Sequence, residues 1–177
     1  MLFLSLKRGY REKYSLIFLV SASLAGCVSG AYQDPAEQDV AKIRFVSDLT
    51  NATFDYIDDK NCGGVPTGLL NNWLVVDTRR RVSMSAPPPQ GAKNYIEIKL
   101  IPEKEVMFRA NTLSNSGGSV CGLSFKLRPE ANAEYEAEFS RVKNYCVLKL
   151  SKLHMVDEEV ERVPLPINRA ALDGCAG

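Results

Sequence analysis

The chain has 177 residues, 24% of them charged and 45% hydrophobic, with a formal net charge of +1. That is enough apolar material for one globular domain around a single core. The near-balance of charge excludes a basic field of the kind that gathers nucleic acid. Basic residues cluster only at Lys7, Arg8, Arg11 and Lys13 and again at Arg79, Arg80 and Arg81.

Reading from the N-terminus, the first basic cluster leads into an apolar run from Ser15 to Leu24, then small residues, then Cys27. A positive n-region, a short apolar h-region and small residues at its boundary form the pattern of a secretory signal peptide. The run is shorter than the roughly 20 apolar residues of a permanent span, so a stop-transfer anchor is the weaker reading. The segment Leu24-Ala25-Gly26-Cys27 resembles the lipobox of bacterial lipoproteins: an aliphatic residue, two small ones and an obligatory cysteine. The resemblance implies that residues 1–26 are a cleaved signal peptide, that the Cys27 thiol receives a diacylglyceryl group, and that the new N-terminal amine is acylated as well. Two or more acyl chains anchor a protein stably, where one gives only reversible binding. In enteric lipoproteins an Asp after the cysteine is associated with retention in the inner membrane. Val28 stands there instead, which implies the outer membrane, with the domain facing the periplasm.

Residues 27–39 are small, polar and interrupted by Pro35, and they read as a lipidated cysteine followed by a flexible tether. A single domain over 40–177 follows. In "VAKIRFVS", Ala41, Ile43 and Phe45 alternate with Lys42 and Arg44, the period of a half-buried strand. The same alternation recurs in "NYIEIKLI", "VCGLSFKL", "AEYEAEFS" and "YCVLKLSKL", and more weakly in "ATFDYI", "NWLVVD" and "EVMFRA". The stretch from Val65 to Trp73 suggests a short helix. About eight short strands between turn-rich segments predict an all-β fold, an antiparallel β-sandwich of immunoglobulin-like or transthyretin-like type.

Five cysteines leave one over in an exported chain, and lipidation of Cys27 accounts for it. The other four then form two disulfides, as an oxidising periplasm favours. Three connectivities are open, and the expected one is Cys62–Cys121 with Cys146–Cys175, because the second bridge would tie down the C-terminal tail. No cysteine pair has the close spacing of a zinc or redox motif.

The carboxylates Asp55, Asp58 and Asp59 lie before a Gly-rich turn but lack the ligand pattern of a calcium loop. Asp157, Glu158, Glu159 and Glu161 read as a polar hairpin turn. His154 is the sole histidine, too few for a triad or a metal pair. No catalytic, metal or cofactor set is therefore expected. Trp73, the single tryptophan, and the triplet Arg79, Arg80 and Arg81 are the candidate contacts for a partner. The expected function is a non-enzymatic binding or structural module, anchored to the membrane and touching another envelope component. Small lipoproteins of secretion systems, including the transthyretin-like ones of type VI secretion, have a similar layout. The alternatives are a small-molecule or metal-binding envelope protein and, least favoured, a cell-wall or lipid hydrolase.

Overall fold

The computed structural model describes residues 31–58, 62–72, 80–92, 94–113 and 119–169. The strands are β1 (Ala41–Ser47), β2 (Ala52–Ile57), β3 (Val65–Leu70), β4 (Tyr95–Leu100), β5 (Val106–Leu113), β6 (Ser119–Leu127), β7 (Glu134–Val142), β8 (Tyr145–Val156), β9 (Glu159–Leu165) and the two-residue β10 (Asn168–Arg169). One sheet has the order β4-β1-β7-β8-β9; the other, β10-β6-β5-β2-β3. The described residues contain no helix.

The two sheets pack face to face as a sandwich, and strand alternation decides what lies between them. Ile43 and Phe45 of β1, Phe54 of β2, Ile96 and Ile98 of β4, Phe108 of β5, Phe125 of β6 and Phe139 of β7 are all fully buried. Phe45 stacks on Phe54 with centroids 4.5 Å apart and meets Phe108 edge-on at 5.1 Å, and Phe108 reaches Phe125 at 5.4 Å. Each such ring removes enough apolar surface from water to contribute about 2–3 kcal/mol.

Several expectations are corrected. The pairing is not wholly antiparallel, because β1 runs parallel to β7, with Ile43 opposite Tyr135. Alternation has the same period in either direction, so it carries no sign of this. The stretch from Val65 is a strand rather than a helix. Gly68, at φ +152°, lets β3 pass so close to β4 that an added Cβ would lie 2.6 Å from Ile96 Cδ1. The acidic hairpin turn narrows to Asp157 and Glu158, both at positive φ, and Glu159 to Leu165 continue as β9. "NWLVVD" falls mostly outside the described residues.

The disulfide pairing differs as well. Cys121 is bonded to Cys146, with Cα atoms 5.9 Å apart, in place of the pairs Cys62–Cys121 and Cys146–Cys175. Both residues open strands at the same end of the sandwich, one in each sheet, and both take the core-facing phase. They are therefore each other's neighbours, and the bond staples the sheets together. Cys62 is disulfide-bonded too, though to neither of these; Cys27 and Cys175 lie outside the described residues.

Candidate functional site

The outer face of the β4-β1-β7-β8-β9 sheet carries the densest polar arrangement. Arg44, on the outward phase of β1, is only 1% exposed. Its Nε donates to Glu97 Oε1 at 3.0 Å and its Nη1 to Glu136 Oε2 at 3.2 Å. Arg44 also donates to the carbonyls of Ala86 and Pro87. These carbonyls belong to a strap, residues 80–92, that crosses the sheet. The strap is held at further points: Glu97 Oε2 accepts from Val82 N at 3.1 Å, and Lys42 Nζ donates to Ser83 O at 2.9 Å. Arg162 of β9 donates to the second oxygen of Glu136 at 2.8 Å.

Glu134 fastens the strap beside this cluster. Its carboxylate accepts from Ser85 N at 2.8 Å, Ser85 Oγ at 2.9 Å and Ala86 N at 3.1 Å, and pairs with Lys42 at 3.5 Å. Burial alone would raise its pKa, but these donors and the Lys42 charge outweigh it and hold the carboxyl below its ordinary value. Charge is balanced through the cluster, and the carboxylates are committed to the fold. The arrangement closes the strap onto the sheet.

A second arrangement fastens residues expected to be tether. Tyr32 is packed into the core cluster. Its backbone N–H donates to Pro66 O at 3.1 Å and its hydroxyl to Lys99 O at 2.7 Å, so it bridges the edge strands β3 and β4. Its ring lies 4.8 Å from that of Tyr56, and burial, reinforced by Tyr56, raises the phenol above its ordinary pKa. Asp34 accepts from Lys99 N at 2.7 Å and pairs with Arg80 at 2.6 Å. Arg80 also donates to Tyr32 O and lies over the Tyr32 ring. Arg81 lies over the ring of Tyr95, 3.4 Å from its centroid, and donates to the Tyr95 carbonyl. Two of the four candidate partner contacts thus have internal partners; Trp73 and Arg79 lie outside the described residues.

The remaining candidates are dispersed. Asp55 pairs with Arg109 at 2.9 Å, and Arg109 also donates to Gly63 O. Asp58 is engaged elsewhere, and Asp59 lies outside the described residues. Among the described residues, no group of three or more His, Cys, Asp or Glu side chains is gathered where it could hold a metal ion. His154 lines a cavity of about 360 Å³ together with Ser85, Glu134 and Lys152. His154, Ser85 and Glu134 are the residue types a hydrolase would use, but the Ser85 hydroxyl donates to the Glu134 carboxylate, which also accepts from the backbone of the strap. Lys152 is drawn to Glu130, whose hydrogen bond raises its pKa. A second cavity of about 370 Å³ lies between the far end of the strap and β1, lined by residues that include Asp48, Asn71, Gln90 and Glu138.

Exposed apolar side chains gather at the two ends of the sandwich. At one end the β7–β8 turn presents Val142 and Tyr145, the latter 76% exposed, flanked by the exposed Arg141 and Lys143. At the other are Ile101, Met155 and Val156. Sequence reasoning missed Tyr32, Arg44 and Tyr145 as residues of interest. The only signal for the first was an aromatic within a polar segment. No protein-family model matches the chain, and no curated protein is similar to it.

Proposed function

We propose that the chain is a lipid-anchored bacterial envelope protein whose sandwich is a non-enzymatic binding or structural module for another envelope component. The observation that carries the reading is the lipobox-like Leu24-Ala25-Gly26-Cys27 behind a basic n-region and a short apolar run. Outer-membrane attachment with a periplasmic domain belongs to the same proposal. Of the two sandwich types, the transthyretin-like one is favoured. The orders β4-β1-β7-β8 and β3-β2-β5-β6, with the parallel β1/β7 pair, support it. The basic, aromatic turn at Tyr145 is the favoured partner contact, since aromatic and arginine side chains dominate binding energy at interfaces.

Mass spectrometry of the mature N-terminus tests the anchor. A chain beginning at Cys27 and carrying diacylglyceryl and acyl groups is expected; an unmodified Cys27, or cleavage elsewhere, overturns it. Disulfide mapping provides an independent check. With Cys121 bonded to Cys146 and Cys62 also bonded, lipidation of Cys27 leaves Cys175 as the partner of Cys62. A Cys62–Cys175 peptide is expected, and a Cys27–Cys62 peptide would exclude a thioether-linked lipid. The cavity beside Asp48 keeps a small-molecule reading as the second one, which an unchanged melting temperature across a ligand and metal panel would remove.

A further inference from the structure

Tyr32 and Asp34 limit the freedom of any anchor attached upstream. The clasp holds Tyr32 by its backbone, its hydroxyl and its ring, and Asp34 by two partners. Only Val28, Ser29, Gly30 and Ala31 separate Cys27 from Tyr32. At about 3.6 Å per residue, five steps keep the two Cα atoms within about 18 Å of each other. A tether running free to residue 39 would reach more than twice as far.

The clasp lies near one end of the sandwich, since Pro66 is the second residue of β3 and Lys99 the penultimate residue of β4. Ile101 follows β4 directly at that end, and Met155 and Val156 close the β8–β9 hairpin there, all of them exposed. The Val142–Tyr145 turn lies at the opposite end. Lys99, Lys42 and Glu134 are level across the sheet. The eight steps of β7 from Glu134 to Val142 then cover about 26 Å at 3.3 Å per residue.

We infer that the Tyr32–Asp34 clasp turns the Ile101 end of the sandwich toward the phospholipid headgroups and points the Val142–Tyr145 turn away from them, toward the aqueous space. The inference rests on the lipid-anchored reading. The length of the leash and the place where it ends fix the occupant of that face as the lipid surface. Charge does not drive the contact. Glu103, Glu105, Asp157, Glu158 and Glu159 outnumber Lys104 and Arg128 at this end, so anionic headgroups would repel it. The acyl chains hold the protein on the bilayer, and the clasp orients it.

The test uses the full chain, exported and processed in a lipidating bacterium and reconstituted in phosphatidylcholine vesicles that carry an energy-transfer acceptor on the headgroup. A fluorescent amino acid replaces Ile101 in one sample and Tyr145 in another; both positions are exposed. Transfer about twofold or more stronger from position 101 than from 145 is expected from the reach and the strand length. Combining Tyr32→Ala and Asp34→Ala with about twelve Gly/Ser residues inserted after Ser29 should bring the two signals together. Circular dichroism of the released variant should keep its β-sheet signature, because Tyr32 and Asp34 lie outside every strand and Tyr32 is the one core ring removed. Equal transfer from both positions, or stronger transfer from 145, on a chain whose Cys27 is lipidated overturns the orientation alone. A Cys27 without lipid overturns the anchor and the orientation together, and the mass spectrum tells the two failures apart.

Discussion

The two faces of β1 are both hidden from water, yet by opposite chemistry. Inward, Ile43 and Phe45 join the aromatic cluster; outward, Arg44 is buried between Glu97 and Glu136 beneath the 80–92 strap. The inner face needs only shape and apolar surface. The outer one needs every donor and acceptor matched, because an ion pair withdrawn from water regains its desolvation cost only through good geometry and further hydrogen bonds. The difference shows that the outward phase of a strand is not always the solvent phase. Any segment with carbonyls to offer can cover it.

Truncations break the two faces in different ways. Phe108→Ala should cost about 3–5 kcal/mol, because it opens a cavity among the rings of Phe45, Tyr56 and Phe125. Arg44→Ala should cost a similar ~3–5 kcal/mol for another reason: it strands two carboxylates away from water. The second loss should be partly repaired by adding Glu97→Gln and Glu136→Gln, which remove the uncompensated charge. No polar substitution repairs the first. Urea denaturation midpoints of the four proteins check this, and an equal response to the added glutamines in the Phe108 background would remove the distinction.

The Cys121–Cys146 bond crosses from one sheet to the other and serves the inner face alone. Replacing both cysteines by alanine should lower stability by about 2–4 kcal/mol, the range for a loop of this size. The strap should remain in place, which protease sensitivity within residues 80–92 reports. Cleavage there in the bridge-less variant, under conditions where the sandwich is still folded, would mean that the two faces are coupled.

How much of this was legible follows the same division. β2 was readable to the residue and β1, β4 and β7 nearly so, because a buried inner face imposes a period of two on the sequence. β9 was not, because "EVERVPL" is exposed on most of its length and no burial shapes its pattern. Arg44 and Glu136 read as outward, which is correct, and as solvated, which is not. Their cover comes from residues 40 or more positions away in sequence. Tyr32 read as tether for the same reason, since both of its edge-strand partners are remote. The disulfide went astray because pairing depends on which strand ends meet across the sandwich, and strand order is invisible to periodicity. Cys27 and Trp73 lie outside the described residues, so what is expected of them stands on sequence alone.

The smallest effect tests how the strap is fastened. Glu134 holds its edge through Ser85, Ala86 and Lys42, and its pKa lies below the ordinary 4.5. A carboxyl depressed in the folded state stabilises that state above the ordinary value, and the contribution disappears as pH falls through the folded-state value. Glu134→Gln keeps one acceptor for the strap but loses the charge. The variant should therefore melt below the parent at neutral pH by on the order of a degree or two, the surface position screening the pair. The gap should shrink as the solution is acidified past pH 4.5 and the parent carboxylate takes up its proton. Melting curves at neutral and acid pH decide it. A gap that stays constant across that range would mean that shape and hydrogen bonding at Ser85, rather than the charge, hold the strap, and that the outer face depends on charge only around Arg44.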